Sequence, residues 1–252
     1  MNLLKIILNE IRKEVLIMWS YKLQWMGEFI SLIMFYMFLA NIIVNNSNSS
    51  SFASMLNYCI WFYSISIIGG VSTKITQESQ AGTFEQMYLS IAPVVLILFA
   101  KIFSSIVRAA LLMLLLLIPL VLTSFIIIDQ GIILRFFITL ILITPGLLGI
   151  SLIIGGITLI YRDVSFLTNI FNNFLLIMGG AFLPVKNFPS WLRWISEMLP
   201  ITHNIWLINS HNTFGVTIIK IALFNIFYFI LGLSIFQLCE KKARLIGNFG
   251  KY

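Results

Sequence analysis

The sequence predicts an all-α membrane protein with six transmembrane helices and an N-terminal interfacial amphipathic helix. Three observations carry that prediction. Hydrophobic residues make up 60% of the 252 residues and charged residues only 10%, against about 25% charged in soluble domains. A soluble fold of this length could not cover itself with polar surface. The mean hydropathy is +1.00. Finally, the apolar residues come in continuous runs, and a helix of roughly 20 such residues crosses a hydrocarbon core of about 30 Å. A membrane barrel would instead show two-residue alternation.

Residues 3–20 begin the chain. Leu4, Ile7, Leu8, Ile11 and Val15 recur at three- and four-residue spacing, with Lys5, Asn9, Arg12 and Lys13 between them. Such a helix lies in the interface with its apolar side in lipid. Trp19, Tyr21 and Trp25 mark the headgroup level. The charges threaded through this start do not read as a cleavable signal.

The first span is expected at 23–44, and the Asn- and Ser-rich run 45–51 turns the chain. The second span is expected at 52–71. Residues 72–93 form the most polar stretch of the first half. The apolar region 94–128 is too long for one span, and Lys101 and Arg108 divide it. A crossing is therefore expected at 105–127, after an interfacial helix. Asp129, Gln130 and Gly131 read as a tight turn. The fourth span is expected at 136–159, with Pro145, Gly146 and Gly149 as kink or packing points. A short polar connection carries Arg162 and Asp163. The fifth span is expected at 165–183. A half-polar segment with Trp191, Trp194 and Trp206 follows, then a sixth span at 216–238 and a charged tail.

Orientation follows from Lys and Arg. With the N-terminus inside, only Arg135, Lys186, Arg193 and Lys220 of the 16 basic residues fall outside. That is a positive-inside bias. The net charge of +7 thus belongs to topology and lipid headgroups. With no basic recognition module, nucleic acid is excluded as a partner.

No catalytic grouping is legible. The only Gly-Lys pair is Gly250-Lys251, which does not form a phosphate-binding loop. His203 and His211 are too few for a metal site. Cys59 and Cys239 read as small apolar filler. The polar stretch 74–93 has Glu78, Gln80, Glu85 and Gln86 on one side and Phe84, Met87, Tyr88 and Leu89 on another. That suits a helix docking into a partner's groove, and also an ordinary solvated loop. Gly82-Thr83 could end one short helix and cap the next.

Residues 78–86, Glu78-Ser79-Gln80-Ala81-Gly82-Thr83-Phe84-Glu85-Gln86, resemble the E-x-x-x-G-T-x-E-Q signature of ABC-2 type exporter permeases. A second block agrees. Gly180-Ala181-Phe182-Leu183-Pro184, Phe188-Pro189-Ser190-Trp191-Leu192 and Leu199-Pro200-Ile201-Thr202-His203 resemble that family's G-x-F-x-P, P-x-W-L and x-P-L-T-x pattern. One departure stands out: drug-export members often carry an Arg after this block, where this chain has Asn209-Ser210.

The resemblance implies a single transmembrane domain over 1–252, with an interfacial helix at 3–20. It implies a cytoplasmic coupling region at 74–93 and an outer re-entrant hairpin at 184–212. Two permease subunits, identical or paralogous, would pair in lipid. Two copies of an ABC ATP-binding subunit would hold ATP and Mg, and this chain itself would hold no cofactor. Glu78, Gly82, Thr83, Phe84, Glu85 and Gln86 would face the ATPase. Pro184, Pro189, Trp191 and Pro200 would shape the hairpin. Localisation would be a bacterial cell membrane, with both termini cytoplasmic.

Other polar residues stay open between roles. Glu28 either faces a transport path or pairs with a base such as Lys22 or Lys101. Arg162 and Asp163 either pair locally or touch the ATPase, and Tyr161-Arg162-Asp163 also resembles polysaccharide-exporting permeases. Asn169, Asn172 and Asn173 either bond between helices or line the path. The expected function is export of an amphipathic or hydrophobic cargo: a drug, an antimicrobial peptide or a lipid-like molecule. The alternatives are export of a lipid-linked glycan or teichoic-acid-type polymer, and a non-transporting immunity or sensor protein.

Overall fold

The computed structural model describes residues 51–83, 94–123, 130–161, 164–181, 183–209 and 215–246, with scattered positions between 8 and 37. Among the described residues there is no strand. The helices are α1 (Ser51–Ile68), α2 (Gly70–Gln80), α3 (Val94–Thr123), α4 (Gln130–Tyr161), α5 (Ser165–Met178), α6 (Ser190–Glu197), α7 (Pro200–Asn209) and α8 (Gly215–Ile246). The described positions between 8 and 37 are helical. Leu8, Leu16, Trp19 and Leu23 among them are exposed.

α4 is the centre of the bundle and packs against α8, α2, α7 and α1. Its sequence explains why. In lipid, helices gain no hydrophobic driving force from meeting, so small residues that admit close backbone approach decide the packing. α4 carries such residues on two sides. On one side a Cβ at Gly149 would stand 2.1 Å from the Tyr228 carbonyl oxygen of α8. Likewise, a Cβ at Gly232 would stand 2.2 Å from the Gly149 oxygen. The two backbones therefore touch at a point where only glycine fits.

On the other side Ser151, Gly155 and Thr158 receive α1 and α2. The Ser151 hydroxyl donates to the Ile67 carbonyl at 2.8 Å and accepts from the Val71 N–H at 3.2 Å. Those two backbone groups are four residues apart, the spacing of an ordinary helical hydrogen bond. Ser151 thus bridges the joint at Gly69 where α1 gives way to α2. Gly155 leaves room for Val71, and Thr158 shares a 2.9 Å hydrogen bond with Ser72. Around these contacts lies a core that includes Ile60, Ile67 and Ile68 of α1, Met113 of α3 and Ile143 and Leu147 of α4.

Two described stretches are long and apolar enough to cross a membrane: Gly131–Tyr161, 31 residues, and Thr217–Leu245, 29 residues. α8 lies at the edge of the bundle and exposes Ile219, Leu223, Ile226, Phe227 and Ile230 along one side. Such a stripe suits contact with lipid chains.

Several boundaries differ from the sequence expectation. The helical path of the expected second span does not stop near Val71; after the Gly69 joint α2 carries it to Gln80. The third apolar region is one continuous 30-residue helix. The expected interfacial helix before residue 105 is therefore not separate, because Lys101 has a partner within the fold and need not sit at an interface. Gln130 and Gly131 begin α4 rather than forming a turn. α5 ends at Met178 after 14 residues, about 21 Å of helix, too short to cross a core of about 30 Å alone. Gly179 caps it, and Gly180 follows at φ +80°. α8, the expected sixth span, runs on to Ile246, with Glu240 accepting from Arg244 at 2.6 Å.

Prolines place the segment after α5. Pro184 precedes the 3-10 turn Val185–Asn187, Pro189 precedes α6 and Pro200 opens α7. Proline's fixed φ suits helix starts. α6 is amphipathic, with Trp191 and Trp194 exposed and Ser196 buried. α7 buries Ile201, Ile205, Leu207 and Ile208 and packs among α4, α1 and α8. His203 packs edge-on to Phe224, 5.0 Å between ring centroids, and its Nε2 lies 2.6 Å from the Glu197 carbonyl oxygen.

Candidate functional site

The site builds from the C-terminal end of α2. A helix leaves its last carbonyls without partners. Here the Gly82 N–H donates to the Ser79 carbonyl at 3.1 Å and the Thr83 N–H to the Glu78 carbonyl at 3.0 Å. These two bonds form a Schellman motif, which needs a left-handed residue at the position of Gly82. Gly82 has φ +67°. The spacing Glu-x-x-x-Gly-Thr is therefore the spacing of a helix stop, with the glutamate in the last turn and the threonine just past the cap.

The side chains of that stop then engage a second helix. The Thr83 hydroxyl donates to Glu78 Oε2 at 2.5 Å. Glu78 Oε1 takes an ion pair from Lys101 Nζ of α3. Lys101 is only 5% exposed, so this partner offsets the cost of burying its ammonium group. Burial pushes the Glu78 carboxyl up; the hydrogen bonds from Lys101 and Thr83, with the charges of Lys101 and Lys13, outweigh it and hold the group below the usual Glu value. The Lys101 carbonyl in turn accepts from Ser104 and Ser105, at 2.7 and 3.1 Å.

Next to this cluster a cleft of about 460 Å³ opens between α1–α2, α3 and α5. Lys74 and Gln77 line it from α2, Ser105 and Arg108 from α3, and Asn169 and Asn172 from α5. Its described walls carry two cations and no carboxylate. Asn172 Oδ1 is buried and lacks a hydrogen-bond partner.

A model of the ABC-2 type transporter family matches residues 7–210. The chain belongs to the ABC-2 type transporter family. No curated protein matches it. The matched range takes in the Glu78–Thr83 cap, the cleft and the segment from α6 to α7. This ABC-2 chain is accordingly a membrane permease subunit, and permeases of its family work with a separate ATP-binding subunit.

Against that family assignment, the expected site residues separate into groups. Glu78, Gly82 and Thr83 come together in one cluster. Phe84, Glu85 and Gln86 lie outside the described residues, as do Arg162, Asp163 and Glu28. Asn169 and Asn172 line the cleft, whereas Asn173 is exposed elsewhere on α5. Pro184, Pro189 and exposed Trp191 surround the start of α6, and Pro200 is buried at the start of α7.

Three residues of the cap and cleft escaped the sequence reading in these roles: Lys101, Lys74 and Arg108. In the sequence Lys101 and Arg108 only divide an apolar run. The signal was present, since a lone Lys within an apolar helix implies a buried partner. Its partner lies 23 positions away, and sequence spacing alone does not select Glu78 among the carboxylates.

Proposed function

We propose that this ABC-2 chain is the permease of an ATP-driven exporter for an amphipathic or hydrophobic cargo. On this reading six spans cross the membrane, both termini and residues 74–93 face the cytoplasm, and residues 184–212 form the outer re-entrant hairpin. Two permease chains pair and dock on two ATP-binding subunits, chiefly through Glu78–Gln86.

The observation that carries this reading is the fastened end of α2. A coupling element must pass motion from a partner to the spans, and packed helices with two discrete arrangements can do so. The cap at Gly82 makes the helix end abruptly. The Glu78–Lys101 pair ties that end to α3, and Ser72 and Val71 tie the same helix to α4. A push on the segment after Thr83 therefore reaches α2, α3 and α4 together. The short buried α7 supports the hairpin reading, since it enters the bundle without crossing it.

The test is reconstitution of the permease with its co-purifying ATPase in proteoliposomes. ATP-dependent movement of a fluorescent amphiphile is followed beside ATP hydrolysis. Glu85→Ala is expected to keep membrane insertion and ATPase binding but lose the coupling of hydrolysis to transport. Wild-type coupling in that variant removes the docking assignment. Purification without any ATP-hydrolysing subunit removes the exporter reading.

A further inference from the structure

The short helix α6 presents three sectors around its axis. Leu192, Ser196 and Leu199 form the inward one, with Ser196 and Leu199 buried. The Ser196 hydroxyl meets Met178 Sδ at the end of α5, at 3.8 Å. A second sector carries Arg193 and Glu197, which pair at 2.9 Å and stay about half exposed. The third carries Trp191, Trp194, Ile195 and the capping Met198, all exposed. Their three- and four-residue spacing puts them on one side of a helix. This apolar side is separate from both the bundle contact and the ion pair.

α8 fixes the depth of that helix in the membrane. The Tyr228 hydroxyl donates to the Met198 carbonyl at 2.6 Å. His203 packs on Phe224 and its Nε2 lies against the Glu197 carbonyl oxygen. Long side chains on a helix lean toward its N-terminus, so the end of α6 stands near the level of Phe224. The apolar stretch Thr217–Leu245 has 29 residues, about 43 Å of helix, which matches a bilayer with its headgroup layers. Phe224 lies about 10 Å inside the start of that stretch. A hydrocarbon core of about 30 Å, centred on it, begins at about 7 Å. The end of α6 therefore stands at the boundary between headgroups and acyl chains, the depth at which an interfacial helix buries its apolar face.

Chemistry and area agree with that depth. An indole has an apolar body and an N–H that needs an acceptor, a combination met where chains give way to headgroups. The two rings, about two-thirds exposed, offer roughly 300 Å². Ile195 and Met198 are smaller and less exposed, so this side of α6 stays under the roughly 800 Å² per partner of a stable protein interface.

We propose that α6 docks on the lipid bilayer itself, with Trp191, Trp194, Ile195 and Met198 set among headgroups and upper acyl chains and the Arg193–Glu197 pair in water. This goes beyond the exporter reading: it uses the membrane placement of α8 and is measured without nucleotide or cargo, so either reading can fail alone.

The test is tryptophan quenching in the full-length protein, with the ATP-binding subunit it carries, in phosphatidylcholine proteoliposomes. Bromine is placed either near the headgroup end of the acyl chains or near their tips, and iodide is supplied on both sides of the membrane. Trp191→Phe combined with Trp194→Phe keeps a ring at each exposed position, and the single variants serve if the pair fails to assemble. The pair is expected to remove about a third or more of the permease emission quenched by shallow bromine, since it removes two of the six tryptophans. The loss should be smaller with bromine at the chain tips. Arg193→Trp should add emission that iodide quenches and bromine does not. Unchanged bromine quenching in the Phe variants overturns the proposal. A loss confined to iodide-quenched emission would put these rings in water and overturn it. Emission lost from neither quenched fraction would mean that a second copy or another protein covers this side, which also overturns it. Bromine quenching of Arg193→Trp would overturn the division into sectors.

Discussion

Glu78 and Lys101 close an ion pair across the boundary between α2 and α3. The pair joins two helices whose connecting segment includes the signature residues Phe84, Glu85 and Gln86. Its carboxylate is also the acceptor for Thr83, so one group serves the cap and the helix contact at once. A partly buried pair of this kind is costly to break from one side, because the remaining charge loses its solvation and its partner together.

Lys101→Met is therefore expected to lower stability by about 1–3 kcal/mol, the usual cost of stranding a buried acceptor. Thermal unfolding in detergent measures it. Glu78→Gln combined with Lys101→Met should lose less than the sum of the two single changes, and a double-mutant cycle gives the coupling directly. Additive losses would mean that the two groups do not interact.

The pair also predicts a pH dependence. The folded-state Glu78 carboxyl lies below its usual value. Its contribution is therefore complete above the ordinary Glu pKa of about 4.3. It disappears as the pH falls through the lower folded value. The stability gap between the native chain and Glu78→Gln should be constant at neutral pH and close in acid. A gap that widened in acid would contradict the assignment.

Gly82→Ala should loosen the end of α2, since a side chain in the left-handed region costs about 1–2 kcal/mol. Gly82→Asn should cost less, because Asn tolerates that conformation. Hydrogen exchange at the Thr83 and Gly82 amides reads the effect, with the order Ala faster than Asn faster than Gly.

Contacts to α4 give two further expectations. Gly149→Ala places a methyl against the Tyr228 backbone and should cost about 1–3 kcal/mol through forced separation of α4 and α8. A thermal melt in detergent measures it. Ser151→Ala removes the bridge between Ile67 and Val71. It should cost about 0.6 kcal/mol, rising to about 1.7 at most, the range for polar links between membrane helices. Faster exchange at the Val71 amide would accompany it.

The chain's own sequence determined that it is helical and membrane-embedded. Composition and continuous apolar runs are summed properties, and neither depends on which helix meets which. Residues 78–83 likewise carry their helix stop locally, because a Schellman cap is built from consecutive residues and a glycine at one position. Helix lengths were less legible. α3 passes Lys101 without a break, because the charge finds a partner in Glu78, and α5 stops at Met178, where Gly179 caps it and Gly180 takes a positive φ. What only the tertiary structure decided was the pairing: Glu78 with Lys101, Ser151 with the α1–α2 joint, Gly149 with Gly232, and Lys74 and Arg108 on one cleft with Asn169. These contacts join residues far apart in the chain. They depend on helix rotation and depth, and in lipid those are set by small-residue contacts and buried polar partners that no local pattern fixes.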